Sequence, residues 1–159
     1  MTVNDTLEAL LESLDQAFDT RSWHGTNLRG SIRGVSLAEA LWRPAPGRHN
    51  IWEIALHTAY WKYAVHRKIV GGVKRGSFGR APSDWPRLPE PATAAAWKAD
   101  VTLLEASHSR LREAIADLVP AALWRQQGSW RAFDHVAGIA AHDLYHAGQI
   151  QLLKRLQRG

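Results

Sequence analysis

His142 and His146 stand four residues apart in the string Ala141-His142-Asp143-Leu144-Tyr145-His146-Ala147-Gly148-Gln149-Ile150. On a helix, residues at that spacing lie one above the other, so both imidazoles can reach a single point beside it, where a metal ion could sit. Steps of three and four extend the pair into a stripe of His135, Ile139, His142, His146, Gln149 and Leu153. Imidazoles and an amide run along it between Val136, Ala140, Leu144, Ala147 and Ile150, the pattern of a partly buried site. A bare pair of histidines is more often two unrelated side chains on a solvated face, so a third ligand is required.

The spacing is shared with the H-E-x-x-H motif of zinc peptidases, in which the residue after the first histidine is a glutamate base. Here that residue is Asp143, one methylene shorter, and residues 147–159 contain no His, Asp or Glu. The peptidase reading fails on both counts, and a third ligand has to come from upstream. His57 is the best candidate, because Ile54, His57, Trp61, Val65 and Lys68 share one stripe of another long helix. His49 and His135 are weaker alternatives, while His24, His66 and His108 sit in loops or on faces that read as solvated.

The elements that must position these groups are helical. Residues 2–19 form an amphipathic helix on Leu7, Leu10, Leu11, Leu14 and Phe18, with Asn4 or Asp5 as its cap. Ser36 with Glu39 is a capping box on a short helix inside the long connection 23–49. Asn50 with Glu53 opens a second long helix to about Val70, closed by Gly71-Gly72. Residues 71–91, rich in Gly and Pro, form a long loop of the crossover, lid or binding kind. Thr93 caps a third helix through Leu118, which Pro120 ends, and the fourth spans residues 131–156. That last helix is apolar nearly all round, which predicts burial on two sides and, through the face bearing Val136, Ala140, Leu144 and Ala147, a homodimer. Strand-like alternation is absent. The fold expected is one all-α domain over residues 1–159, a four-helix bundle with long connections.

A chain of 159 residues that is 45% hydrophobic can bury a sizeable core without staples, and it contains no cysteine. Thiolate metal sites and cysteine nucleophiles are excluded, and a reducing compartment fits. The first ten residues carry no basic side chain, unlike a signal peptide, and no apolar run approaches membrane-spanning length. A soluble cytoplasmic protein without membrane partners is the expectation. The net charge of +5 is concentrated in Lys62, Arg67, Lys68, Lys74, Arg75, Arg80 and Arg87. These bases form no nucleic-acid motif; recruitment of an anionic small molecule by Lys74, Arg75 and Arg80 in a covering loop is the alternative to plain solvation.

The strings Asn50-Ile51-Trp52-Glu53-Ile54-Ala55-Leu56-His57 and Ala140-Ala141-His142-Asp143-Leu144-Tyr145-His146-Ala147-Gly148-Gln149-Ile150 resemble the DinB-like superfamily, related to the YfiT-type metalloproteins. The likeness covers essentially the whole chain, and its C-terminal block is the more specific part. It implies an up-down-down-up four-helix bundle, often dimeric, with a divalent metal held by His57, His142 and His146. It also brings in thiol-dependent transferases and isomerases that use low-molecular-weight thiols.

Three neutral imidazoles without a carboxylate suit Zn, Ni, Fe, Co or Cu rather than Mg or Ca. Three protein ligands leave coordination positions open, as catalytic sites do. Glu53, Asp134 and Asp143 are the acids that could orient the ligating rings. The function expected is a metal-dependent enzyme of thiol S-transferase type acting on a small electrophile. The alternatives are a non-catalytic metal-binding stress protein and a metal-dependent hydrolase; the name of the family gives no support to DNA binding.

Overall fold

Local capping sets most helix starts. In the computed structural model, which describes residues 2–159, α1 (Val3–Phe18) is capped by Thr2 rather than Asn4 or Asp5. The Thr2 hydroxyl accepts from the Asp5 N–H at 3.2 Å, and the Asp5 carboxylate accepts from the Thr2 N–H at 2.6 Å, so Asp5 closes the box from inside the helix. A short helix absent from the sequence reading follows, α2 (Leu28–Ile32), capped by Asn27. The expected boxes at Ser36 and Asn50 open α3 (Leu37–Leu41) and α4 (Ile51–Val70). Gly71 ends α4 at φ +70, a conformation that favours glycine.

Thr93 caps α5 (Ala94–Ala116), which stops two residues short of Leu118 as the chain turns into a 3-10 segment, Pro120–Trp124. A small hairpin that no alternation announced, β1 (Gln126–Gln127) with β2 (Trp130–Arg131), leads into α6 (Ala132–Leu156). The fold is all-α apart from that hairpin.

Side-chain pairings fix how the four long helices run. Asp15 with Arg112 and Phe18 with His108 set α1 antiparallel to α5. The Trp52 indole donates to Asp100 at 2.9 Å and Lys62 lies over Phe18 beside His108, so α4 and α5 advance together. His57 meets His146 while Lys62 meets Asp143, so α6 opposes α4. A parallel α4–α5 pair requires a return path along the bundle, about 30 Å for a 20-residue helix, and residues 71–93 supply it.

Leu7, Leu10, Leu14 and Ala17 of α1 pack on Val136, Ile139 and Ala140, while Leu28 and Ile32 of α2 share a core with Ala147, Ile150 and Leu153. α6 is therefore buried on more than one side, as its composition required. The covering comes from within the chain, however. Val136, Ala140 and Ala147 are buried, and Leu144 packs on the same core, so that face is not free for a second subunit. The apolar side chains of α6 left in solvent are Tyr145, Leu152 and Leu156, each more than half exposed.

Candidate metal centre

α4 and α6 cross where each carries its histidines. The Nε2 atoms of His57 and His146 each lie 3.1 Å from Nε2 of His142, and the three rings form a group that could hold a metal ion, with one nitrogen from each within 4.8 Å of the others. Ligands of a tetrahedral or octahedral metal at ordinary metal–nitrogen distances are roughly 3.0–3.4 Å apart along an edge, a range that the two separations from His142 fit. His57 and His146 are buried, and His142 is partly buried.

Two of the rings have their tautomer set by an acceptor on the outer nitrogen. The Asp84 carbonyl accepts from His57 Nδ1 at 2.7 Å, and the Gln149 side-chain oxygen accepts from His146 Nδ1 at 2.7 Å. A carbonyl oxygen only accepts, so both protons sit on Nδ1 and both Nε2 lone pairs point inward, as ligation requires. His142 Nδ1 is buried and has no partner among the described residues. Trp85 stacks on His57 at 3.9 Å and on His49 at 3.6 Å, clamping the ligand ring from the loop side. Asp84 in turn is held by the Trp61 indole, which donates to its carboxylate at 2.7 Å.

Burial is the first cause that keeps these rings neutral. It pushes His142 down to about 3, helped by His146 and His57, and His146 to about 4. His57 is lowered for the same reason. Neutral imidazoles are the form that binds a metal.

The orienting groups are thus not the acids the sequence suggested. Glu53 is taken by Arg43, by His49 and by its own capping role. Asp134 is paired with Arg131. Asp143 points into the bundle and pairs with Lys62, both fully buried; burial outweighs the attraction and lifts the Asp143 carboxyl to about 6. His49 and His135 stand outside the three-histidine group. His108, read as solvated, is buried against Phe18 at 3.7 Å. It falls in step with Trp97, Val101, Leu104, Leu111 and Ile115, a spacing that already placed it on the apolar stripe of α5.

The centre forms the floor of an open cleft of about 810 Å³ between the start of α4, the end of α6 and the 71–93 segment. Its walls include Trp61, Trp85, Tyr145 and Leu152, and its rim Arg48 and His49. Of the cations expected to draw in an anion, Arg80 is spent on buried Asp100 at 2.6 Å, and neither Lys74 nor Arg75 lines the cleft. The segment is a pinned strap rather than a loose cover: Trp85 and Asp84 hold His57, Arg80 holds Asp100, and the Lys74 carbonyl accepts from Tyr63 at 2.9 Å.

No helix among the described residues is long and apolar enough to cross a membrane. No curated protein and no solved structure matches the chain. A family model does match, over residues 20–150, a span that takes in α4, α5, the strap and all three histidines, and by that match the chain belongs to the DinB superfamily.

Proposed function

We propose that His57, His142 and His146 hold a divalent transition metal, Zn, Ni or Fe, through Nε2, and that the protein is a metal-dependent enzyme of thiol S-transferase type acting on a small electrophile. The observation that carries this is three histidine Nε2 atoms gathered on the floor of an open cleft, with no carboxylate in the set. A divalent metal held there would lower the pKa of a thiol or water sharing it and so supply a nucleophile near neutral pH.

The family resemblance is what favours a thiol over water here. Asp84 is the carboxylate lining the cleft, where its Oδ1 accepts from the Trp61 indole and lies 3.3 Å from His57 Nδ1. A thiol, with an ordinary pKa near 8.5, ionises more readily than water. Trp61 and Trp85 give the floor apolar walls, while Arg48, without an ion pair among the described residues, offers a cation at the rim for an acidic thiol cofactor or electrophile.

The test is turnover of an electrophile panel by metal-loaded protein with several biological thiols, comparing wild type with His57→Ala. Thiol-dependent turnover lost in the variant supports the reading. Thiol-independent hydrolysis would make the protein a metal-dependent hydrolase. Bound metal without turnover would leave a non-catalytic metal-binding stress protein.

We also propose a homodimer through the exposed α6 stripe of Ala141, Tyr145, Gly148, Leu152 and Leu156, of which Tyr145 and Leu152 also wall the cleft. These positions recur every three or four residues, and the small Ala141 and Gly148 allow a second helix to approach closely.

A further inference from the structure

His142 and Trp61 have a second side. Behind them, between α4, α6 and the β-hairpin, lies a separate cleft of about 500 Å³. Trp61, Val65, Trp130 and Ile139 make its lining largely apolar, and its polar groups are unequal in what they have to do. Asp134 is neutralised by Arg131, which contacts it through Nε at 2.9 Å and Nη2 at 2.8 Å. Lys68 is exposed and makes no ion pair among the described residues. His135 Nε2 is buried and has no partner among the described residues. Gly138 lies along the same wall with open space where a Cβ would stand. The indole of Trp130 is 60% exposed, a large apolar surface left beside a free cation.

An unpaired cation and two indole faces around one cavity are complementary to an aromatic ring or short hydrocarbon bearing a carboxylate. We propose that this second cleft is a binding site for a small aromatic carboxylate. Its ring lies against Trp61 and Trp130, and its carboxylate meets Lys68. The ligand rests on the far side of His142 and Trp61, two side chains that also line the larger cleft. The site does not depend on a metal, so it stands or falls separately from the catalytic reading.

Phenylacetate, benzyl alcohol and phenethylamine serve as probes, titrated into zinc-loaded protein and into the same protein stripped with EDTA, with the indole N–H signals of Trp61 and Trp130 followed by NMR. Phenylacetate is expected to give saturable shifts of both signals, unchanged by stripping, with the alcohol weaker and the amine not binding. Lys68→Glu should weaken phenylacetate about tenfold, or about 1.4 kcal/mol. Gly138→Phe, which fills the cavity from a helical position with room for a side chain, should abolish it while metal content stays at the wild-type level. Loss of binding on stripping together with indifference to Lys68→Glu would place the carboxylate at the three histidines and overturn the proposal. So would equal binding of the amine, or no shift at millimolar probe.

Discussion

Replacing Lys62 by Met tests how α4 is registered on α6 one residue away from His142. The Lys62 and Asp143 side chains are both 0% exposed, and the second Asp143 oxygen, Oδ1, has no partner among the described residues. Met follows the lysine stem but leaves a buried carboxylate unpaired, a change that costs about 3–5 kcal/mol. The carboxyl can escape by taking a proton. With Lys62 present its pKa already stands at about 6, raised by burial, and loss of the lysine removes the attraction that holds it down. A folded pKa above the unfolded value of roughly 3.9 gives stability that is complete below that value and lost as pH rises through the folded pKa, by up to about 1.4 kcal/mol per pH unit. The deficit of Lys62→Met against wild type should therefore be larger at pH 8 than at pH 5. The double variant Lys62→Met with Asp143→Leu has no charge to strand and should lie within about 1 kcal/mol of wild type or above it at either pH. Urea unfolding of the four proteins of the cycle at both pH values measures this. A single-variant loss below about 1 kcal/mol at pH 8, or one that ignores pH, would refute the picture of a dry, mutually dependent pair.

Joint replacement of His142 and His146 by Ala should abolish bound metal by elemental analysis and leave the helical circular dichroism intact, because the α1 and α2 contacts of α6 lie on other faces. Gln149→Leu removes the acceptor of His146 Nδ1 without touching a ligand and should weaken metal about 10–100-fold in competition with a chromophoric chelator. His108, pushed from 6.5 down to about 3 by burial first and then by Lys62 and Arg112, favours the fold only while neutral. That stability is complete above pH 6.5 and is lost as pH falls, so wild type should lose up to about 1.4 kcal/mol per pH unit more than His108→Phe between pH 6 and 4, read from urea midpoints. Light scattering at micromolar concentration should report a dimer that Leu152→Glu converts to the 17.8 kDa monomer.

What could be read in advance follows from what acts locally. A capping box needs only four consecutive residues, so Ser36 with Glu39 and Asn50 with Glu53 are visible in the sequence, whereas at the amino terminus Asn4 and Asp5 compete as caps with Thr2, which performs that role one turn before Asp5. The His142 and His146 pair follows from helical period alone. His57 needed its stripe and the family resemblance, and the structure brings it to them. Asp84 and Trp85 had no such signal: they lie in a segment without periodicity, and only the path of the backbone delivers them to His57. α2 was hidden by Gly30 and Gly34, although Asn27 marked its start. Lys62, grouped in the sequence with the bases open to solvent or an anion, and Asp143, grouped with the ring-orienting acids, sit on apolar stripes, among Ala55, Thr58, Ala59 and Val65 on one helix and Val136, Ile139, Ala147 and Ile150 on the other, the unused signal of a buried pair.

The strap between α4 and α5 has a consequence for how the chain tolerates changes of length. Before its first tether at Lys74 it contains Gly71 and Gly72, both at positive φ with open space around them, so residues inserted there can bulge into solvent. Between Arg80 and Trp85 it is fixed at both ends, to Asp100 on one side and to His57 on the other. One residue added or removed in that second stretch shifts the Asp84 carbonyl off His57 Nδ1 by up to about 3.3 Å, the rise of an extended residue, and frees the ring to turn. Length variation in this chain should accordingly be absorbed at the glycines and excluded from the five residues that follow Arg80.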